Sequence, residues 1–98
     1  MTLAVVLRRA ARLEFDEAAV WYESRRFGLG SEFVAEIERA IAAASAEPER
    51  FPIMHRNIRC VRARRFPYSV FFRVEPKRIV VLAVFHARRD PLVWRARA

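Results

Sequence analysis

Apolar residues recur with a helical period through the first half of this chain and with a strand period through the second. Leu3 to Leu7 is a short, partly β-branched apolar run, which predicts a strand buried on both faces. Ala11, Phe15, Ala18 and Tyr22 then fall at i, i+4, i+7 and i+11, one stripe of a 3.6-residue period, with Arg12, Asp16, Glu23 and Arg26 off the stripe. Gly28 is placed to end that helix as a C-cap. The connection Gly28-Leu29-Gly30-Ser31 is short, and Ser31 is the expected N-cap of a second helix with Glu32 in its first turn. Phe33, Ile37, Ala40, Ile41 and Ala44 repeat the helical spacing until Pro48 stops it. Two amphipathic helices on a short loop make an antiparallel hairpin. Small residues at Ala18, Ala19, Ala40 and Ala44 let it pack closely.

Residues 47 to 57, with Pro48, Pro52 and Asn57, read as an irregular surface connection. Beyond them, Ile58 to Ala63 alternates loosely and carries Arg59 and Arg62, which suits an edge strand guarded by charge. Tyr68 to Val74 and Arg78 to His86 are stronger strands, joined by a hairpin turn at Glu75-Pro76-Lys77. Ile79 to Phe85 is apolar on both faces and belongs inside the sheet. Asp90-Pro91 ends regular pairing, and Leu92 to Arg97 has room for one helical turn. The order β-α-α-β-β-β predicts an α+β fold, a helical hairpin packed on a small, mainly antiparallel sheet, in a single domain spanning residues 1 to 98.

Composition removes several classes of function. Of the 98 residues 54% are hydrophobic and 31% charged, far from a disordered composition. No apolar run approaches the roughly 20 residues of a membrane span. The N-terminus lacks a basic residue before its apolar run, so neither a secretory leader nor a membrane partner is expected, and the protein is expected in the cytoplasm. Cys60 is the only cysteine and has no Cys or His at ligand spacing, so the expectation is no metal, no cofactor and a small buried side chain.

Charge adds the sharpest asymmetry. Residues 50 to 98 hold 13 basic and 2 acidic side chains, whereas residues 1 to 49 hold 6 basic and 9 acidic. Codon usage explains why 18 of the 19 basic residues are Arg as well as anion recognition does. It does not explain why the charge gathers in one half. A strongly cationic face is therefore expected, and beside aromatic residues such a face suits an acidic, amphipathic partner. Arg59, Arg62, Arg65, Tyr68, Phe71, Arg88, Arg89 and Trp94 are the partner-binding candidates, with Phe72 more suited to the core and Trp94 equally suited to either role.

The order of elements, read with Ala11, Glu17-Ala18, Trp21-Tyr22, Gly28-Leu29-Gly30, Phe33, Pro48 and Phe51-Pro52, resembles the ParE branch of the RelE/ParE toxin superfamily. Arg65-Phe66-Pro67-Tyr68 with Val70 and Phe72, and His86-Ala87-Arg88-Arg89-Asp90-Pro91 with Trp94, extend the resemblance over nearly the whole chain. It implies the toxin of a type II toxin-antitoxin pair, held inactive by a cognate antitoxin whose C-terminal segment lies across it. The ParE branch is associated with poisoning DNA gyrase, the RelE branch with cleaving mRNA on the ribosome.

Cleavage by the 2′-OH of RNA needs a base, a cation for the charged transition state and an acid for the leaving oxygen. Cations are plentiful, and under a nuclease reading His86, Arg65 and Arg73 are the candidate catalytic set, with Tyr68 assisting. A base is missing from the basic half, because Glu75 belongs to a turn and Asp90 precedes a proline. The lysines of some RelE relatives are missing too, since Lys77 stands alone in that turn. His86 can equally be structural, bonded to a backbone carbonyl or to Asp90, and Arg88 with Asp90 can form a local ion pair. Gyrase inhibition by binding, with no catalytic residues, is thus the leading expectation, and a ribosome-dependent mRNA endonuclease the alternative. A non-toxic basic module binding protein or nucleic acid is the third reading, although no recognition helix or aromatic RNA-binding motif is visible.

Overall fold

The structure is a computed structural model that describes residues 2–98; Met1 lies outside the described residues. Its elements are β1 (Ala4–Leu7), α1 (Arg9–Arg25), α2 (Leu29–Ala46), a 3-10 turn (Pro48–Arg50), β2 (Ile53–His55), β3 (Ile58–Arg62), β4 (Tyr68–Glu75), β5 (Arg78–His86) and α3 (Leu92–Arg95). The five strands form one mixed sheet in the order β1-β5-β4-β3-β2, with β1 parallel to β5 and every other pair antiparallel. The α+β fold and the helical hairpin are as the apolar periods predict.

The hairpin covers one face of the sheet. Ala11, Phe15 and Ala18 of α1 and Phe33, Ile37, Ala40, Ile41 and Ala44 of α2 pack on Val61, Val70, Phe72, Ile79, Val81 and Val84. Tyr22, Phe33, Phe66 and Tyr68 close one end of this core, with ring centroids 4.9 to 5.3 Å apart across Tyr22–Phe66, Phe33–Phe66 and Phe33–Tyr68. The two helices approach closely because Gly30 has no side chain. A Cβ there would lie 2.6 Å from the Ala19 carbonyl oxygen.

A smaller cluster fills the opposite face, where Ile58, Cys60, Phe71, Val80, Leu82, Ala83 and Phe85 gather under Trp94 of α3. The Trp94 indole stacks on Phe71 at 3.9 Å between centroids and 15° between planes, and is only 4% exposed. Burial also raises the Cys60 thiol above its ordinary pKa. Between the faces lies a bulge: Phe71 pairs with Ala83 and Phe72 with Val81, so Leu82 is the extra residue.

Four local expectations are corrected. β1 is an edge strand whose Val5 and Val6 are each 39% exposed, because only β5 pairs with it; a short apolar run does not distinguish an edge from an interior strand. Ile58 to Arg62 lies inside the sheet, since the supposedly irregular connection contains β2, which pairs outside it. Gly28 is the N-cap of α2, not the C-cap of α1, and adopts the left-handed conformation at φ 85°. Ser31 caps nothing: the Glu23 carboxylate accepts the Gly28 and Gly30 N–H groups at 2.9 Å each, meeting the need of the helix start with a side chain from α1. β5 is interior as expected, with Glu75 facing Arg78 across the Pro76-Lys77 turn.

Two predictions follow from this packing. Trp94→Ala should cost about 3–5 kcal/mol of unfolding free energy, the usual loss for a large buried aromatic, read as a lower urea midpoint. Glu36 accepts both Nε and Nη2 of Arg39, at 2.9 and 2.7 Å, and the Arg64 backbone N–H. The Arg39 hydrogen bonds lead in holding its carboxyl at a pKa of about 2. Because that lies below the unfolded value of roughly 4.3, its stabilisation is complete at neutral pH and lost as pH falls through 2. Glu36→Gln should lower stability at pH 7 and flatten its decline between about pH 5 and 2; an unchanged slope of urea midpoint against pH would refute this.

Candidate functional site

β5 is longer than its parallel neighbour. Leu7, the last residue of β1, pairs with Val81, so Leu82 to His86 have no strand on that side. Helix α1 passes beside this open stretch, and the tail after His86 folds back across it. The result is an open groove of about 570 Å³, lined by Leu13, Glu14, Glu17 and Trp21 from α1, by Tyr68 and His86, and by Arg89 and Arg97 from the tail. A second depression of about 590 Å³ continues past Trp21, Tyr68 and His86 to Pro67, Ala87 and Arg88.

Glu14 is the fixed point of the groove. It accepts the Val84 N–H at 3.0 Å, Arg89 at 2.6 Å and both Nη atoms of Arg97 at 2.9 Å. Arg97 also donates to the Leu82 carbonyl at 3.0 Å. Side chains thus satisfy the strand edge where β1 stops.

His86 pairs with Tyr68 across β4 and β5, and their rings meet edge to face at 5.1 Å. Its Nδ1 accepts the Arg88 N–H at 3.0 Å, so the neutral ring carries its proton on Nε2. The structural alternative for His86 is thus a bond to a backbone N–H, not to a carbonyl or to Asp90. Asp90 Oδ1 accepts the Leu92 N–H at 3.0 Å and starts α3. It does not pair with Arg88, which is exposed and has no carboxylate partner among the described residues. Burial pushes the Tyr68 phenol above its ordinary pKa.

The expected partner-binding set does not stay together. Tyr68, Arg88 and Arg89 meet at the groove, although Arg89 is tied to Glu14 and lies over the Phe85 ring at 4.4 Å. Arg62 is exposed on the other face of the sheet, opposite Ser69. Phe71 and Trp94 are buried against each other, so neither is an exposed anchor: a sheet needs cover on both faces, and this pair covers the second. Phe72 is core as expected. Arg59 donates to the Phe51 and Glu49 carbonyls at 2.6 and 3.4 Å, holding the segment before β2. Arg65 pairs with Glu32 at 2.6 Å from a left-handed backbone at φ 70°, and that hydrogen bond leads in lowering the Glu32 pKa.

The nuclease set His86, Arg65 and Arg73 does not converge. Arg73 pairs with Glu75 at 3.1 Å and lies five residues along β4 from Tyr68, about 17 Å at strand rise. Residues not expected at the groove include Glu14, Leu13 and Arg97. Glu17 and Trp21, which entered only through family resemblance, also line it. Leu13 had a readable signal, an apolar residue opposite the core stripe of its helix. Glu14 had none, because the bulge it serves is invisible in a residue period. Among the described residues no group of three His, Cys, Asp or Glu is placed to hold a metal ion.

The groove combines an exposed indole, a phenol and an imidazole with a free guanidinium, an arrangement for binding apolar side chains beside a carboxylate. The fold is similar to that of a chain of the chromosomal ParDE TA system from P. aeruginosa, at a TM-score of 0.74 and 20% identity over 89% of this chain and 98% of that one. A chain of the toxin-antitoxin complex RelBE2 from Mycobacterium tuberculosis matches at a TM-score of 0.60 and 21% identity, over 88% of this chain and 99% of that one. No curated protein matches the sequence. The family model for the ParE toxin of the type II toxin-antitoxin system, parDE, matches residues 5–91, and this chain belongs to that family.

Proposed function

We propose that this chain is a toxin that inhibits DNA gyrase by binding it in the cytoplasm, and that a cognate antitoxin holds it inactive. Family membership supports the toxin role, and the ParDE system among its structural neighbours supports a protein antitoxin. The observation that carries a binding mechanism over a chemical one is the scatter of the nuclease set: Arg73 is far from His86 along the sheet, and Arg65 is committed to Glu32. What the groove offers is recognition. Trp21 and Tyr68 give apolar and aromatic surface, and Arg88 gives an unpaired charge for an acidic segment.

Ribosome-dependent mRNA cleavage is the second reading, favoured by one observation. Glu17 and His86 line the same groove, which supplies from α1 the carboxylate that the basic half lacks.

Antitoxin-free protein should block gyrase supercoiling or trap gyrase on cleaved DNA. Unaffected supercoiling together with cut translated mRNA would sink the gyrase reading in favour of the nuclease. The variant His86→Gln separates the two further. Gyrase inhibition by binding should survive it within a few-fold, whereas a nuclease should lose about 10²–10⁴ in rate with antitoxin affinity nearly intact.

A further inference from the structure

The short helix α3 covers the sheet with one apolar side chain and leaves two others in water. Trp94 is 4% exposed, whereas Leu92 and Val93 are 66% and 40% exposed. The sheet face around them is cationic. Arg95 follows Trp94, its guanidinium 5.6 Å from the indole centroid. Arg62 and the Ile58–Arg73 pair are four residues apart along β3, about 13 Å at strand rise, so this face carries guanidinium groups at both ends of the α3 cluster. The β2–β3 turn adds Arg56, held in the left-handed conformation at φ 53° beside His55, whose ring meets the Trp94 indole at 6.1 Å. Arg56, Arg62 and Arg95 are exposed and have no carboxylate partner among the described residues. The two carboxylates nearby are already engaged: Arg73 and Arg78 share Glu75 at 3.1 and 2.7 Å, and Asp90 accepts the Leu92 N–H. The acidic helices lie on the other side of the sheet.

Leu92 and Val93 are presented by a helix held at both ends. Asp90 fixes its first turn, the Trp94 indole is stacked on Phe71 at 3.9 Å, and Arg97 just beyond it is bound to Glu14 through both Nη atoms. Little ordering entropy is therefore left to oppose a partner. A lone exposed leucine is ordinary. A small apolar centre on a rigid support, ringed by unpaired cations, has the anatomy of a protein–protein contact, with an apolar middle and a polar rim.

Charge and apolar exposure together decide the occupant. A second copy would set a net charge of +8 against +8. The phosphates of duplex DNA would satisfy the guanidinium groups but leave Leu92 and Val93 without apolar contact. A lipid surface would receive two aliphatic side chains from a single helical turn, far less than an interfacial helix buries. An acidic protein surface with a shallow apolar recess satisfies both features. We propose that the α3 face, with Leu92 and Val93 at its centre and Arg62 and Arg95 at its rim, is the surface this toxin sets against an acidic patch of gyrase. This rests on the gyrase reading above and adds which side of the toxin makes the contact: the side of the sheet opposite the helical hairpin.

The test titrates the antitoxin-free chain into a gyrase supercoiling reaction and reads the concentration that gives half inhibition. Leu92→Ser combined with Val93→Ser alters exposed side chains and should leave the melting temperature within about 2 °C. It should raise the half-inhibitory concentration about ten-fold or more. Arg62→Glu combined with Arg95→Glu should raise it by a similar factor, whereas Arg62→Lys with Arg95→Lys, which keeps the charge, should stay within about three-fold. Should the serine pair melt lower, the arginine pairs carry the test, since both positions are exposed. Val20→Ser, on the hairpin side, should change nothing. A serine pair that melts like the unaltered chain and inhibits within two-fold of it overturns the α3 contact and leaves the gyrase reading standing. Supercoiling untouched by the unaltered chain overturns the gyrase reading and the contact with it. Inhibition lost only through the glutamate pair, with an equal loss of duplex DNA binding in the absence of gyrase, overturns the protein contact and assigns the face to DNA phosphates.

Discussion

A strand edge that loses its neighbour halfway needs new partners for its backbone, and here those partners are Glu14 and Arg97. The bulge at Leu82 displaces the ladder just where β1 ends, and the Val84 N–H and Leu82 carbonyl there are met by a carboxylate from α1 and a guanidinium from the tail. Unmet, each half-buried group would cost about 1–3 kcal/mol. That is a sizeable share of the roughly 5–15 kcal/mol that holds a small domain together. Because Arg97 belongs to the tail, the same interaction fixes the course of α3, and with it the Trp94 indole over Phe71. The floor of the groove and the cover of the second sheet face therefore share one support.

The charge segregation along the sequence is partly undone by folding. Carboxylates of the acidic half reach across: Glu14 takes Arg89 and Arg97, Glu32 takes Arg65, and Glu36 takes the Arg64 backbone. These contacts fasten the helical hairpin to the sheet, and they leave a smaller cationic surface than composition alone suggests. Arg56, Arg62, Arg64, Lys77, Arg88 and Arg95 of the basic half remain exposed without a side-chain carboxylate partner, so an acidic partner is still attracted from several directions.

What the sequence showed of this fold follows from which signals are local. Helical and strand periods depend on neighbouring residues, so both helices, β4, β5 and the turn between them were legible. Position in the sheet depends on which strands meet, so β1 and β3 exchanged their expected edge and interior roles. Capping failed for a related reason: Gly28 and Gly30 are served by Glu23, a residue five to seven positions back in another helix. Tyr68, Arg88 and Arg89 come together at the groove because they flank the ends of readable strands. Glu14 was not legible, because its role exists only once α1 lies against the bulge. Phe71 and Trp94 have the residue types of binding anchors, and only their stacking shows that they are cover for the sheet.

Helix α1 carries three separate duties on three sides, and their separation matters for how the molecule can act. Its core side packs on α2 and the sheet, Glu14 secures the bulge, and Leu13, Val20 and Trp21 on the outward side remain exposed. A partner that covers the outward side displaces none of the contacts that hold the fold, so binding requires no unfolding and adds its free energy directly to stability. The groove is similarly prepared, since Tyr68 and His86 are set by strand pairing and Arg89 by Glu14 before any partner arrives. In a chain of 98 residues, where one sheet, one hairpin and the short α3 supply the whole core, the rigid parts are complete without a partner.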